Sequence, residues 1–112
     1  MQRESAKFLH DMLDAAGAIE ELTRGRSEAD YLNSRPMRDA CNWNFCVIGE
    51  ALTRLRRFDE RTAERISEYT RIIGLRNQLI HGYDHISNTT AWAIVRDKLP
   101  ILISELKQLL AE

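Results

Sequence analysis

The chain has 112 residues, 44% of them apolar, the size of one domain around a single core. Its formal net charge is −1, so no global field draws it to nucleic acid. The opening stretch MQRESAKFLHDML holds no apolar run long enough for a signal peptide or a membrane span.

The first element is a helix. Phe8, Leu9, Met12, Ala16, Ile19 and Leu22 recur at helical spacing and stop near Gly25. The stretch RGRSEAD reads as a loop, with Ser27 and Asp30 spaced like a helix cap. A short turn runs to Pro36. Met37, Cys41, Phe45, Ile48, Leu52 and Leu55 then mark a second, long helix. Phe58 and Asp59 break that pattern, and Asp59 is placed to cap a short helix through Ile66. Ile72, Leu75 and Leu79 mark the next helix. SNTT starts the last, carried by Trp92, Val95, Leu99, Leu102, Leu106 and Leu109. Pro100 inside it predicts a kink. Strand-like alternation, long linkers and repeats are missing from the sequence. The fold class expected is all-α: one domain over 1–112, an up-and-down bundle of four main helices plus a short one.

The basic residues are skewed. Thirteen are Arg and three are Lys, and seven of the Arg fall between 54 and 76: Arg54, Arg56, Arg57, Arg61, Arg65, Arg71 and Arg76. Arg suits planar, bidentate contact with phosphate, although such a run also makes an ordinary solvated helix face. Cys41 and Cys46 lie five apart on one helix, point to different sides and read as free thiols in a reducing compartment. A cytoplasmic protein is expected.

The segment RNQLIHGYDH, residues 76–85, concentrates the chemistry. With Arg76 at zero and about 100° per residue, Tyr83 falls near −20° and shares its face. Asn77 and His81 fall near 100° and 140°, spaced i, i+4, so they can meet. Ile72, Leu75 and Leu79 form the core stripe between about −40° and −100°. Ile73 and Ile80 fall near 40–60°, inside the polar sector. Two apolar side chains flanked by Arg, Asn, His and Tyr fit a surface that meets another protein. If the partner is a second copy on a two-fold axis, one cleft holds two Arg, two His and two Tyr. Paired imidazoles suit acid–base work on a phosphodiester: one takes the 2′-hydroxyl proton and the other protonates the leaving oxygen. Arg76 stabilises charge on the phosphorus oxygens, and Asn77 aims His81. No metal or cofactor is needed in this scheme.

Other readings of the same residues stay open. His81 can be a helix C-terminal histidine satisfied by carbonyls, with Gly82 closing the helix. His81 and His85 have the i, i+4 spacing of a metal pair, but Gly82 intervenes and no third ligand is evident beyond Asp84 or a distant acid. His10 reads as a surface or boundary residue.

RNQLIHGY resembles the R-N-x-L-I-H-x-Y signature of HepT-type HEPN proteins, small all-helical ribonuclease toxins of toxin–antitoxin pairs. NFCVIGEAL (residues 44–52), YTRIIGLRN and AWAIVRDKLPIL are similar to further segments of that family, so nearly the whole chain is covered. The connection into the motif helix is short and lacks the proline and tryptophan that often precede the motif in relatives, and Trp43 stands where they commonly carry a basic residue. The resemblance implies a metal-independent endoribonuclease, the toxin of a type II pair, with Arg76 and His81 as catalytic residues in a composite homodimer cleft. It implies Asn77 as the polar residue that follows the arginine. Tyr83 would be the site at which an MNT-type nucleotidyltransferase antitoxin adds AMP from ATP. Such an adduct excludes an RNA phosphate by bulk and like charge. Glu50 matches the acid of I-G-E-A as a supporting residue; its other reading is a helix salt bridge with Arg54. The substrate would be RNA, transfer or messenger. Two other functions compete: a non-catalytic, nucleotide-binding helical partner of a nucleotidyltransferase, and a bundle that only dimerises.

Overall fold

The computed structural model describes residues 1–81 and 87–112, and among these the chain forms seven helices and no strand. They are α1 (Arg3–Thr23), α2 (Glu28–Leu32), α3 (Arg35–Phe58), α4 (Glu60–Ala63), α5 (Tyr69–His81), α6 (Asn88–Asp97) and α7 (Leu99–Ala111). The all-α fold class read from the sequence is the one observed, and it is HEPN-like. No helix among the described residues is long and apolar enough to cross a membrane.

Local chemistry sets most of the boundaries. Gly25 adopts φ 72° just past α1, a left-handed conformation that glycine takes at no steric cost. Ser27 and Asp30 form a full capping box: the Asp30 amide donates to Ser27 Oγ at 3.1 Å, and the Ser27 amide to Asp30 Oδ2 at 2.9 Å. Ser34 accepts from the Met37 amide at the start of α3, with Pro36 in the first turn. Asp59 caps α4, accepting from the Thr62 amide at 3.3 Å and from Ser5 Oγ of α1 at 2.8 Å. Ser87 caps α6 through the Thr90 amide.

Three elements differ from expectation. The connection before Pro36 contains α2, a capped helix of five residues. The short helix after Asp59 ends at Ala63, and Ile66 is reached through single turns in which Arg65 donates to the Thr62 carbonyl and Ile66 to that of Ala63. The last helix is broken rather than kinked. It stops at Asp97, Lys98 joins the pieces, and Pro100 sits in the first turn of α7. A proline ring collides with the carbonyl four residues back, so the helix ends before Pro100 and restarts where a missing N–H costs nothing.

α1 packs on α3 and α7, α5 packs along α3, and α6 lies beside α7. Leu9, Met12, Ile19, Leu52, Leu55 and Leu106 are fully buried at the centre. Tyr31 of α2 is fully buried against Trp92, with ring centroids 5.4 Å apart. Burial pushes its phenol up to about 12. Ile66, just past α4, is buried in the core.

Candidate active site between α3 and α5

α5 runs back along α3. Arg76 meets Gly49, and one turn later Ile80 lies with Trp43 and Val47, earlier in α3. The crossing is close. A Cβ on Gly49 would stand 2.2 Å from Arg76 Cβ and 2.7 Å from Arg76 Cγ. Only glycine lets the arginine stem cross the helix there.

The stem's path decides where the guanidinium goes. Arg76 Nη1 donates to Asn77 Oδ1 at 2.9 Å, and Nη2 donates to Glu50 Oε2 in a short ion pair. Its Nε is buried and has no hydrogen-bond partner among the described residues. The side chain is 25% exposed, so an arginine head is held at the edge of the fold with one N–H on each Nη not used by Asn77 or Glu50. Glu50 also accepts from Arg54 Nε at 3.1 Å. The Arg54 hydrogen bond, followed by the Arg76 and Arg54 charges, holds the Glu50 carboxyl below its usual range. Glu50 thus bonds its helix neighbour Arg54 and also anchors Arg76.

His81 is the last residue of α5 and is exposed. It lies five residues beyond Arg76, about 140° further round the same helix. Arg76, Asn77 and Glu50 are thus brought together, and His81 stands one turn on. Tyr83 lies outside the described residues, as do Asp84 and His85 of the metal-pair reading. Among the described residues no three His, Cys, Asp or Glu side chains gather as a metal site. His10 is exposed, as expected.

The face assignments on α5 need one correction. Leu75 is buried, with Ile72 and Leu79 partly buried beside it, matching the expected stripe. Ile80 is 52% exposed, as its angle requires. Ile73, placed by its angle in the polar sector, instead packs partly against the chain's own core. The Gly49 crossing brings α3 so near that the buried sector of α5 widens toward Ile73.

Ile80 and Trp43, the latter 71% exposed, edge a groove of about 640 Å³ between α1 and α3. Phe8, Val47 and Ala51 contribute apolar surface; Lys7, Asp11, Glu50 and Arg54 contribute charge. Cys46 opens onto the same groove, partly buried, whereas Cys41 is fully buried and its thiol is pushed up to about 11 by desolvation. A thiol so raised is a poor nucleophile at neutral pH.

The arginine run divides. Arg65 pairs with Glu112 and Arg71 with Glu68. Arg56, Arg57 and Arg61 are exposed around the end of α3 and have no ion-pair partner among the described residues. Sequence reasoning identified Arg76, Asn77 and Glu50 but gave no role to Gly49 beyond a motif match. The signal was there: a glycine inside a long helix costs about 1 kcal/mol relative to alanine, a cost that a close crossing explains.

The family profile described as Ribonuclease HepT-like matches residues 12–109. The protein named "Putative RNase MJ1380" of Methanocaldococcus jannaschii is 30% identical over 106 residues, covering 95% of this chain and 96% of its own. The "Probable ribonuclease HepT" of Thermococcus cleftensis is 27% identical over 109 residues, covering 97% and 98%. No solved structure gives a significant match.

Proposed function

The chain belongs to the HepT-like ribonuclease family, and on that premise we propose that it is a metal-independent RNA endonuclease, the toxin of a type II toxin–antitoxin pair in the cytoplasm. The observation that carries this reading is the arginine built into the α3–α5 crossing, pinned by Glu50 and Asn77, with an exposed histidine one turn later. A fixed guanidinium with spare donors suits charge that develops on a phosphate in the transition state. An exposed imidazole suits proton transfer near neutral pH.

In the proposed reaction the 2′-hydroxyl loses its proton to one imidazole and attacks the adjacent phosphorus. The P–O5′ bond breaks, and the departing oxygen takes a proton from the second imidazole. The products are a 2′,3′-cyclic phosphate and a 5′-hydroxyl end. Arg76 neutralises the equatorial oxygens throughout. The second imidazole in this proposal is His81 of a second copy, so the cleft forms at a homodimer interface. Ile80 and Trp43, large apolar side chains left exposed beside the site, supply the surface a second copy would cover. Tyr83, two residues past His81, is the proposed target of AMP transfer by a nucleotidyltransferase antitoxin. An anionic adduct there would repel RNA from the cleft.

The test is purified protein with transfer or messenger RNA in the presence of a chelator. Cleavage leaving cyclic phosphate ends, reduced about 10²–10⁴-fold in His81→Ala, is the expected result. Cleavage that survives His81→Ala, or that stops with chelator, sinks the reading.

A further inference from the structure

Glu50 holds two arginines at once. One carboxylate oxygen accepts from Arg76 Nη2 and the other from Arg54 Nε at 3.1 Å. Two guanidinium groups against one carboxylate leave the trio with an excess of positive charge. The two heads differ in what they have left to offer. Arg76 is mostly buried, whereas the Arg54 side chain is 62% exposed. Arg54 is bonded through Nε, and its two Nη groups have no partner among the described residues. Those Nη groups carry four of the five N–H donors of the guanidinium. The Nε bond fixes the plane of the head, and Arg54 lines the groove that Ile80 and Trp43 edge. An arginine already oriented loses less freedom when its fork meets an anion.

Within the ribonuclease reading, we propose that Arg54 binds the RNA backbone phosphate next to the one held at Arg76. RNA presents anions at regular intervals along one strand, which a pair of guanidinium groups joined by one carboxylate can engage side by side. Arg54 is then a binding residue and Arg76 a catalytic one. The rest of the run acts differently. Arg65 and Arg71 are occupied by Glu112 and Glu68, and Arg56, Arg57 and Arg61 attract RNA diffusely rather than at a fixed point.

The experiment measures binding of a short unstructured RNA oligonucleotide to the His81→Ala protein across a salt series, with and without Arg54→Ala. Alanine is the best helix former, and Arg54 is exposed, so the fold is expected to persist. Loss of one phosphate contact predicts about tenfold weaker binding and a log–log salt slope shallower by about 0.7. In the cleaving protein Arg54→Ala raises KM by the same factor and keeps kcat within about twofold. Arg54→Lys keeps the charge and restores the slope. Unchanged affinity and slope, while the unaltered protein still cuts RNA, overturns the Arg54 assignment and leaves the ribonuclease reading standing. A kcat loss as large as that of Arg76→Ala overturns it as well, since Arg54 would then act through Arg76. A protein that neither binds nor cuts RNA overturns both.

Discussion

The seam between α1 and α7 and the seam between α3 and α5 are built from different materials. α1 and α7 pack against each other, and the buried side chains they bring to the core, Leu9 and Met12 on α1 and Leu106 on α7 among them, are apolar. Such contacts are interchangeable: any side chain of suitable volume restores much of the burial. Among the described residues of α5, Leu75 alone is buried. Its seam with α3 adds, to the packing of Ile72, Leu75 and Leu79, a missing Cβ at Gly49 and an ion pair ending on Arg76. The first seam stores stability. The second stores the position of one charged head, and a site needs the second kind.

The sharpest way to break this contrast is to damage each seam and ask what is lost. Leu106→Ala in the apolar seam is expected to cost about 3 kcal/mol of stability, read from urea unfolding, with kcat unchanged in the fraction that stays folded. Gly49→Ala pushes the Arg76 stem away. It is expected to cost about 1–3 kcal/mol by overpacking and, through a displacement near 1 Å at Arg76, about 10²-fold in RNA cleavage. Equal losses of activity from the two variants at matched folded fraction would erase the distinction.

A smaller effect tests the cap that ties α4 to α1. Thr62, then Ser5, hydrogen-bond to Asp59 and hold its carboxyl below the usual range. A carboxyl depressed on folding adds stability above its unfolded pKa of about 3.9 and loses it as pH falls through the folded value. Asp59→Ala is therefore expected to cost about 1 kcal/mol at neutral pH. The gap between wild type and variant should shrink below about pH 4. A gap independent of pH would show that the carboxylate charge is not what the cap uses.

Much of the fold was legible because its causes are local. Helical spacing marked α1, α3, α5 and α7, Ser27 and Asp59 announced caps within one turn of the residues they serve, and SNTT announced the start of α6. α2 escaped because five residues are too few for periodicity. Pro100 announced a kink, but its ring acts on the carbonyl four residues before it, and the helix breaks at Lys98 instead. At the site, the motif named Arg76, Asn77 and Glu50, but that Glu50 reaches Arg76 as well as Arg54 depends on how two helices cross. Ile73 failed for the same reason: an angle on one helix says nothing of how near the next one lies.

The two cysteines give the groove a built-in reporter. Cys41 is sealed in the core, while Cys46 opens onto the groove beside Ile80 and Trp43. Alkylation of the native protein should therefore label one thiol and spare the other. Diluting the sample until copies separate should quicken that labelling if a second chain normally shields the groove, so a mass spectrometer can follow assembly without any engineered probe.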